Sequence, residues 1–169
     1  MYRISSNTDI NYHKDFSLAR GGFKMIDEST TKKLTDILSK IDDTKAMESF
    51  MENPKITDSH KTFIEYFRSL PQVKELTDSS LIELSGIEKS YYYQIFKGSK
   101  NPSRDKILRL CIGAGLSMRE TTRALELSQA APLYPKNRRD IIISVAINQH
   151  ANVIDTNLLL DKYKEEPLS

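Results

Sequence analysis

The chain of 169 residues has few of the residue types that carry cross-links or metal chemistry. It contains one cysteine, Cys111, and three histidines, which excludes a disulfide framework and a multi-cysteine or histidine-rich metal site. It has no tryptophan, and no apolar run approaches the ~18 residues that a membrane span requires. The N-terminus lacks an apolar signal core. We therefore expect a cytoplasmic protein that binds no metal, cofactor or membrane.

Positive charge is concentrated in one stretch of the sequence. Residues 88–139 carry 11 Lys and Arg against 4 Asp and Glu, a net charge of +7, whereas residues 1–54, 55–87 and 140–169 have net charges of −1, −1 and −3. A concentrated basic face is expected of a protein that binds a polyanion, because each phosphate contacted releases counterions. An ordinary solvated surface is the alternative explanation.

The sequence pattern divides the chain into four segments. Residues 1–24 have no sustained periodicity and are expected to be disordered or to be a non-native upstream segment. The second possibility arises because the codons before Met25 can read as a bacterial ribosome-binding site, which would make Met25 the natural start. The remaining segments are a helical extension at 25–56, a DNA-binding domain at 57–127, and a helical hairpin at 128–169 packed on that domain.

From residue 25 onward, apolar residues recur at helical spacing. Leu34, Ile37, Leu38 and Ile41 are three and four residues apart, which predicts a helix with one buried face. The run 141–145 (Ile-Ile-Ile-Ser-Val) is β-prone in isolation, but its flanking residues favour a buried helix. No segment combines strand alternation with hairpin turn residues. The sequence therefore predicts an all-α protein.

Residues 76–105 have the pattern of two short helices joined by a sharp turn. Thr77 is a good N-cap residue, Gly86 tolerates the positive φ that a sharp turn requires, and Ile87 can fill the corner. In the second helix, Tyr92 and Ile95 are predicted to face inward. The side chains left facing outward carry amide, hydroxyl and cationic groups: Lys89, Ser90, Tyr91, Tyr93, Gln94 and Lys97.

Such groups can read and hold DNA. Gln pairs with adenine N6 and N7, Lys with guanine O6 and N7, and hydroxyl groups with phosphates or base edges. With two helices and a glycine turn, this stretch resembles the helix-turn-helix of the phage-repressor (Cro-like, XRE) family, and the resemblance covers residues 59–125. The residues that carry it are Leu81, Gly86, Ile87, Ile95 and Gly98, followed by Asn101-Pro102-Ser103.

The resemblance implies a lambda-repressor-like fold and a bacterial transcriptional regulator, most simply a repressor, that binds double-stranded DNA. It implies a homodimer, since such proteins read half-sites about 34 Å apart. The residues expected to lie at base edges are Lys89, Ser90, Tyr93 and Gln94, with Tyr91 beside them. The residues expected to hold phosphates are Thr77, Lys97, Lys100 and Arg104.

Two carboxylates depart from the family pattern. Asp78 stands where the family often has Gln, and Glu88 stands where Ser or Asn is usual. Near a phosphate backbone both would weaken binding unless they face away or form internal hydrogen bonds. Together with the tyrosines at 91–93, they favour an alternative function, the binding of another protein.

That alternative is a protein-binding module that uses the same helical surface. It would be an antitoxin or immunity adaptor whose partner is a toxin or a kinase-like product of a neighbouring gene. The two functions can coexist, since antitoxins often repress their own genes. A third class, an enzyme, is not expected, because the sequence has no Gly-rich phosphate loop, H-E-x-x-H or G-x-S-x-G motif.

A second pattern relates residues 103–133 to residues 138–168 at an offset of 35. It predicts a helical hairpin that occurs twice, with chance similarity between amphipathic helices as the alternative. Cys111 aligns with Ala146, which favours a core residue over a reactive thiol. The strongest matches pair Arg104-Asp105 with Arg139-Asp140, Thr121 with Thr156, Leu125 with Leu160, and Pro132-Leu133 with Pro167-Leu168.

Overall fold

A computed structural model of the chain describes residues 28–52 and 62–169. In this part of the chain the regular structure consists of ten α-helices without a strand, which confirms the all-α prediction. The predictions for residues 1–24 and for a natural start at Met25 lie outside the described residues. The chain divides into two compact units, residues 1–57 and 58–169.

The first unit contains α1, Glu28–Leu38, and α2, Thr44–Met51. Asp43 caps α2, because its carboxylate accepts a hydrogen bond of 2.8 Å from the backbone N–H of Ala46. No residue of α2 is buried, and Ile37 and Leu38 of α1 are exposed. The prediction that these two side chains belong to a buried face was therefore wrong, since two helices this short offer too little surface to enclose a core.

The first described helix of the second unit begins with a capping box at Thr62. The Thr62 hydroxyl accepts a hydrogen bond from the N–H of Glu65, and the Glu65 carboxylate accepts one from the N–H of Thr62, both of 3.2 Å. The run 141–145 lies within a helix, as predicted, but that helix is buried on one side only, since Ile143 is buried whereas Ile141 and Val145 are exposed. The helices of this unit are α3 Phe63–Ser69, α4 Pro71–Lys74, α5 Asp78–Ser85, α6 Lys89–Phe96, α7 Arg104–Gly113, α8 Met118–Leu127, α9 Arg138–Asn148 and α10 Val153–Lys162.

Helix α7 is the centre of the second unit. It packs against α5, α8 and α10, while α3 packs against α8 and α9 against α8 and α10. Leu108 and Cys111 of α7 are completely buried. Burial raises the pKa of the Cys111 thiol to about 12, so the thiol is protonated at neutral pH. Cys111 is thus a core residue, as its alignment with Ala146 predicted.

The two predicted hairpins, α7–α8 and α9–α10, have the same construction. Helix α8 spans 118–127 and α10 spans 153–162, which is the same span 35 residues later. The side chains of Ser117 and Asn152 cap these two helices. Positive φ angles recur at the same offset: Gly115 (67°) with His150 (54°), and Gln129 (57°) with Lys164 (58°). The structure therefore confirms that the hairpin occurs twice.

Reciprocal salt bridges join the two hairpins. Arg139 Nη2 lies 2.7 Å from Asp105 Oδ2, and Arg104 Nη2 lies 3.0 Å from Asp140 Oδ1. Each arginine also donates to two backbone carbonyl groups of its own hairpin, Arg104 to Ala131 and Pro132, and Arg139 to Glu166 and Pro167. Because each contact recurs 35 residues later with the hairpins exchanged, an approximate two-fold symmetry relates them, as in an isologous interface.

Candidate nucleic-acid interface

The candidate interface is built on α5, α6 and the three residues between them, 86–88. Thr77 begins α5 as predicted, with its hydroxyl oxygen 3.1 Å from the backbone N–H of Ser80. Gly86 ends α5 with φ of 61°, and Ile87 is buried at the corner. Tyr92 and Ile95 are completely buried, which confirms their predicted inward orientation. The buried side of α6 thus fixes which side faces outward.

Arg109 holds the turn between α5 and α6. Its Nε donates a hydrogen bond of 2.8 Å to the carbonyl oxygen of Ser85, and its Nη2 donates one of 2.6 Å to that of Gly86. These carbonyl groups end α5 and have no partner within the helix, so a guanidinium group there satisfies them and complements the helix dipole. No local sequence pattern predicts this contact, because the partners lie 24 and 23 residues apart.

The side chain of Asp78, in α5, contacts residues of α3 and α6 and so links three helices. Its Oδ1 lies 2.7 Å from Arg68 Nη2 of α3 and accepts a hydrogen bond of 2.9 Å from the Tyr92 hydroxyl of α6. Burial alone would raise the pKa of Asp78, but the hydrogen bonds from Arg68 and Tyr92 lower it below its usual value. Arg68 also lies over the ring of Phe96, 4.4 Å from its centroid. The negative charge of the carboxylate is therefore compensated by Arg68 within the fold.

Glu88 is the N-cap of α6. Its carboxylate accepts hydrogen bonds of 2.9 Å from the backbone N–H groups of Ser90 and Tyr91, and one from the Ser90 hydroxyl. These bonds, that of the Ser90 side chain first, lower the pKa of Glu88. A carboxylate at this position is stabilised by the positive end of the helix dipole. Asp78 and Glu88, the two carboxylates that depart from the family pattern, thus both form internal hydrogen bonds. With such bonds, neither carboxylate is expected to weaken binding to a nearby phosphate backbone.

The outward side of α6 carries the four residues predicted at base edges, Lys89, Ser90, Tyr93 and Gln94, together with Lys97. Successive residues of an α-helix are about 100° apart, so these side chains share an arc of about 140°. All five are exposed. We call this set the α6 face, and it consists of Lys89, Ser90, Tyr93, Gln94 and Lys97.

The chain leaving α6 is fixed by the carbonyl group of Gln94. That oxygen accepts hydrogen bonds from the backbone N–H groups of Ser99 and Lys100, at 3.0 and 3.2 Å, and from the Ser99 hydroxyl at 3.0 Å. Gly98, which lies between Gln94 and Ser99 in the chain, has a φ of 74°. Lys100 is thereby held in an exposed position directly after the α6 face.

Two predicted site residues lie elsewhere. Tyr91 is half-buried and packs against the core, so it is not part of the α6 face. Arg104 donates to Asp140 and to the carbonyl groups of Ala131 and Pro132. Its predicted phosphate role is therefore replaced by a structural one, because its guanidinium group already has these partners.

Most arginines of the basic stretch, residues 88–139, form ion pairs or hydrogen bonds within the fold, whereas three of its exposed lysines form no ion pair with the described residues. Lys89, Lys97 and Lys100 are exposed and form no ion pair within the part of the chain that the structure describes. These three ammonium groups lie on α6 and its exit, and Lys136, between the two hairpins, is a further exposed lysine of the basic stretch. Arginines with internal partners include Arg104, Arg109, Arg123, Arg138 and Arg139.

Comparison with known proteins adds no family to these observations, since no family model, curated protein or solved structure matches the chain. The resemblance to phage repressors therefore stays a prediction. No helix within residues 28–52 and 62–169 is long and apolar enough to cross a membrane. In the same residues, no group of three His, Cys, Asp or Glu side chains is placed to hold a metal ion.

Proposed function

We propose that the protein binds double-stranded DNA in a sequence-specific manner, with α5 and α6 forming a helix-turn-helix and α6 entering the major groove. The supporting observation is the α6 face, which presents cations, hydroxyls and an amide on a helix whose opposite side is core. The major groove is about 12 Å wide and admits an α-helix. The eight residues of α6 span about 12 Å along the helix axis.

The proposed contacts divide into two kinds. Gln94 and Lys89 have the donors and acceptors that distinguish adenine and guanine edges, and Tyr93 lies between them on the face. Lys97 and Lys100 lie at the end of α6, where unpaired ammonium groups can contact phosphates on either side of the groove. The hydroxyl of Thr77, at the beginning of α5, is a further candidate for a phosphate contact. Its present partner is the hydroxyl of Ser80, at 2.9 Å.

The internal hydrogen bonds of Asp78 and Glu88 support this proposal. The charge of Asp78 is compensated by Arg68, and Glu88 is held against the N-terminus of α6. Both carboxylates therefore organise the surface on which DNA would lie. We propose that the protein acts in transcription, most simply as a repressor whose site overlaps a promoter, and that it binds as a homodimer to paired half-sites.

A selection from a random duplex library tests the proposal. The full chain would be used to enrich duplexes, and fluorescence anisotropy would then compare an enriched duplex with a scrambled one at two salt concentrations. We expect the enriched duplex to bind about 10³-fold tighter or better. Binding of both should weaken steeply as salt rises, because counterions are released. Weak and equal binding of both duplexes would contradict the proposal.

Protein binding by the same face is the second candidate function. The observation that favours it is Tyr93, an exposed aromatic residue on the α6 face, since tyrosine is enriched in protein interfaces. A tyrosine-centred protein contact depends little on salt. Salt-insensitive capture of a toxin-like or kinase-like neighbouring gene product, without enrichment of any duplex, would favour this function over DNA binding.

A further inference from the structure

The segment that connects the two hairpins ends in a tight turn with an exposed lysine at its tip. The backbone N–H of Asn137 donates a hydrogen bond of 3.0 Å to the carbonyl oxygen of Tyr134, which closes a four-residue turn. Pro135 is the second residue of this turn, a position that suits its fixed φ, and Lys136 is the third. The Lys136 side chain is exposed and forms no ion pair with the described residues. We call residues 134–137 the connecting turn.

Two side chains hold the connecting turn against the beginning of α7 and α9. Arg104, the first residue of α7, donates hydrogen bonds of 2.8 and 3.2 Å to the carbonyl oxygens of Ala131 and Pro132. Asp140 of α9 accepts a hydrogen bond of 2.9 Å from the backbone N–H of Tyr134. The backbone that leads into the turn is therefore fixed at three points, and the turn has a defined place beside the start of α7.

The connecting turn and the exit of α6 lie in two acid-free stretches of the chain that meet in the structure. Residues 97–104 and 127–139 contain no Asp or Glu, and the hydrogen bonds of the Arg104 side chain join them. Asp105 and Asp140, which directly follow these stretches, each form a salt bridge with an arginine of the other hairpin. Lys136 therefore extends the positive charge of the α6 exit to the segment between the hairpins.

We propose that Lys136 contacts a phosphate of double-stranded DNA outside the sequence that α6 reads, so that the connecting turn widens the DNA interface. This inference rests on the proposed function. Four residues of chain span at most about 14 Å, so Lys100 and Lys136 each lie within about that distance, between Cα atoms, of the two residues joined by the Arg104–Pro132 hydrogen bond. Phosphates continue along the duplex on both sides of a recognition sequence, and a contact to one of them adds affinity without base preference.

The neighbouring cation Arg138 is less suited to this contact. Its Nε lies 3.2 Å from Glu165 Oε1, so a phosphate would compete with a carboxylate for the guanidinium group. Lys136 has no such competitor among the described residues. We therefore assign the phosphate contact to Lys136.

Anisotropy titrations of the full chain on two duplexes test this inference. One duplex is trimmed to the sequence enriched by selection, and the other extends that sequence with arbitrary flanks on both sides. On the extended duplex, Lys136→Ala should reduce the slope of log K against log salt by about 0.9. Its loss of affinity relative to the unaltered protein should then shrink by about 3.5-fold when salt rises roughly fourfold. On the trimmed duplex the two proteins should bind alike.

Two further variants and a second readout separate a phosphate contact from a loss of net charge. Lys136→Arg keeps the charge and should keep the slope. The matched control is Lys162→Ala, which removes an exposed lysine of α10 and should also keep the slope. In ethylation interference, phosphates outside the enriched sequence should contribute to binding by the unaltered protein but not by Lys136→Ala. Circular dichroism melts show that each variant is folded before its affinity is compared.

Three results would overturn the inference while leaving the proposed function in place. The first is an equal slope for the unaltered protein and Lys136→Ala on the extended duplex. The second is an equal loss of slope in Lys162→Ala, which would reflect net charge alone. The third is a loss of preference for the enriched over the scrambled sequence in Lys136→Ala, which a phosphate contact does not explain. Failure to enrich any duplex would instead remove the proposed function, and this inference with it.

Discussion

The guanidinium group of Arg139 donates two hydrogen bonds to the carboxylate of Asp105, of 3.1 and 2.7 Å, and so joins α9 to α7. Both side chains are 18% exposed. Two parallel N–H···O bonds fix orientation as well as distance. Because Arg104 makes the corresponding contact with Asp140, the relative placement of the hairpins is determined twice.

Replacing Arg139 should destabilise the second unit. In Arg139→Ala, Asp105 loses its ion-pair partner and two carbonyl groups lose a donor, and we expect the free energy of unfolding to fall by about 2–4 kcal/mol. Arg138→Ala is the matched control, because Arg138 is the preceding residue, is 73% exposed and also pairs with a glutamate. It should cost less than about 1 kcal/mol. Urea denaturation measures both, and equal losses would contradict the structural role of Arg139.

The stability of the protein should fall in acid, partly through Asp105. Burial alone would raise the pKa of this group, but hydrogen bonds from Arg139 and from the N–H of Ser169 lower it below 3.8. A lowered folded-state pKa contributes stability above the unfolded pKa and loses it as pH falls through the folded value. The stability difference between the unaltered protein and Asp105→Asn should therefore shrink from about pH 5 to about pH 2. A constant difference in urea denaturation across this range would refute the assignment.

Gly86 should be the more sensitive of two glycines with positive φ. A Cβ atom at Gly86 would lie 2.6 Å from Arg109 Nη2, whereas one at Gly98 would meet nothing within 4 Å. Both alanine variants incur left-handed strain of about 1–2 kcal/mol. Gly86→Ala must also displace the arginine that caps α5, so thermal or urea unfolding should show the larger loss for it. A larger loss for Gly98→Ala would show that Arg109 does not hold the turn.

Two variants of the α6 face should separate base reading from phosphate contact. Gln94→Ala should cost about 1–3 kcal/mol on the enriched duplex and relax sequence preference, while Lys97→Ala should weaken all duplexes alike. Lys162→Ala, in α10, provides a control for loss of an exposed lysine away from the face. Anisotropy titrations at one fixed salt concentration give the comparison. If both α6 variants lose the same affinity on every duplex, Gln94 does not read bases.

Cys111 should be unreactive in the folded protein. Its thiol is completely buried and its pKa is raised to about 12, so little thiolate is present or accessible at neutral pH. We expect labelling by an aromatic disulfide reagent only on addition of urea, in step with the loss of helical circular dichroism. Rapid labelling without denaturant would place the thiol at the surface.

Local chemistry explains which features the sequence could predict. Thr77, Gly86, Tyr92 and Ile95 follow from capping, turn and periodicity rules that involve neighbours within a few residues. The repeat was predicted because a fixed offset of 35 preserves both apolar and capping positions. The face of α6 followed from the same periodicity, once its two inward residues were identified.

Contacts between distant helices explain what the sequence could not predict. The charge of Arg104 suggested a phosphate contact, since nothing local shows that Asp140 lies 3.0 Å away. Likewise, the sequence showed Asp78 only as a departure from the family pattern, because its contacts with Arg68 and Tyr92 depend on how the helices pack. A signal for the reciprocal salt bridges was present in the repeat, where an Arg-Asp pair stands at the same position in both copies.

The contact of α5 with α7 at Gly113 has a consequence for the kinetics of binding. A Cβ atom at this position would lie 2.8 Å from the backbone nitrogen of Ser85 and 2.9 Å from the carbonyl carbon of Leu84. The two backbones are therefore closer than a residue with a Cβ atom would permit. If the α6 face binds DNA as proposed, α5 is already packed against α7 before DNA arrives, and encounter rather than rearrangement of these helices should set the association rate.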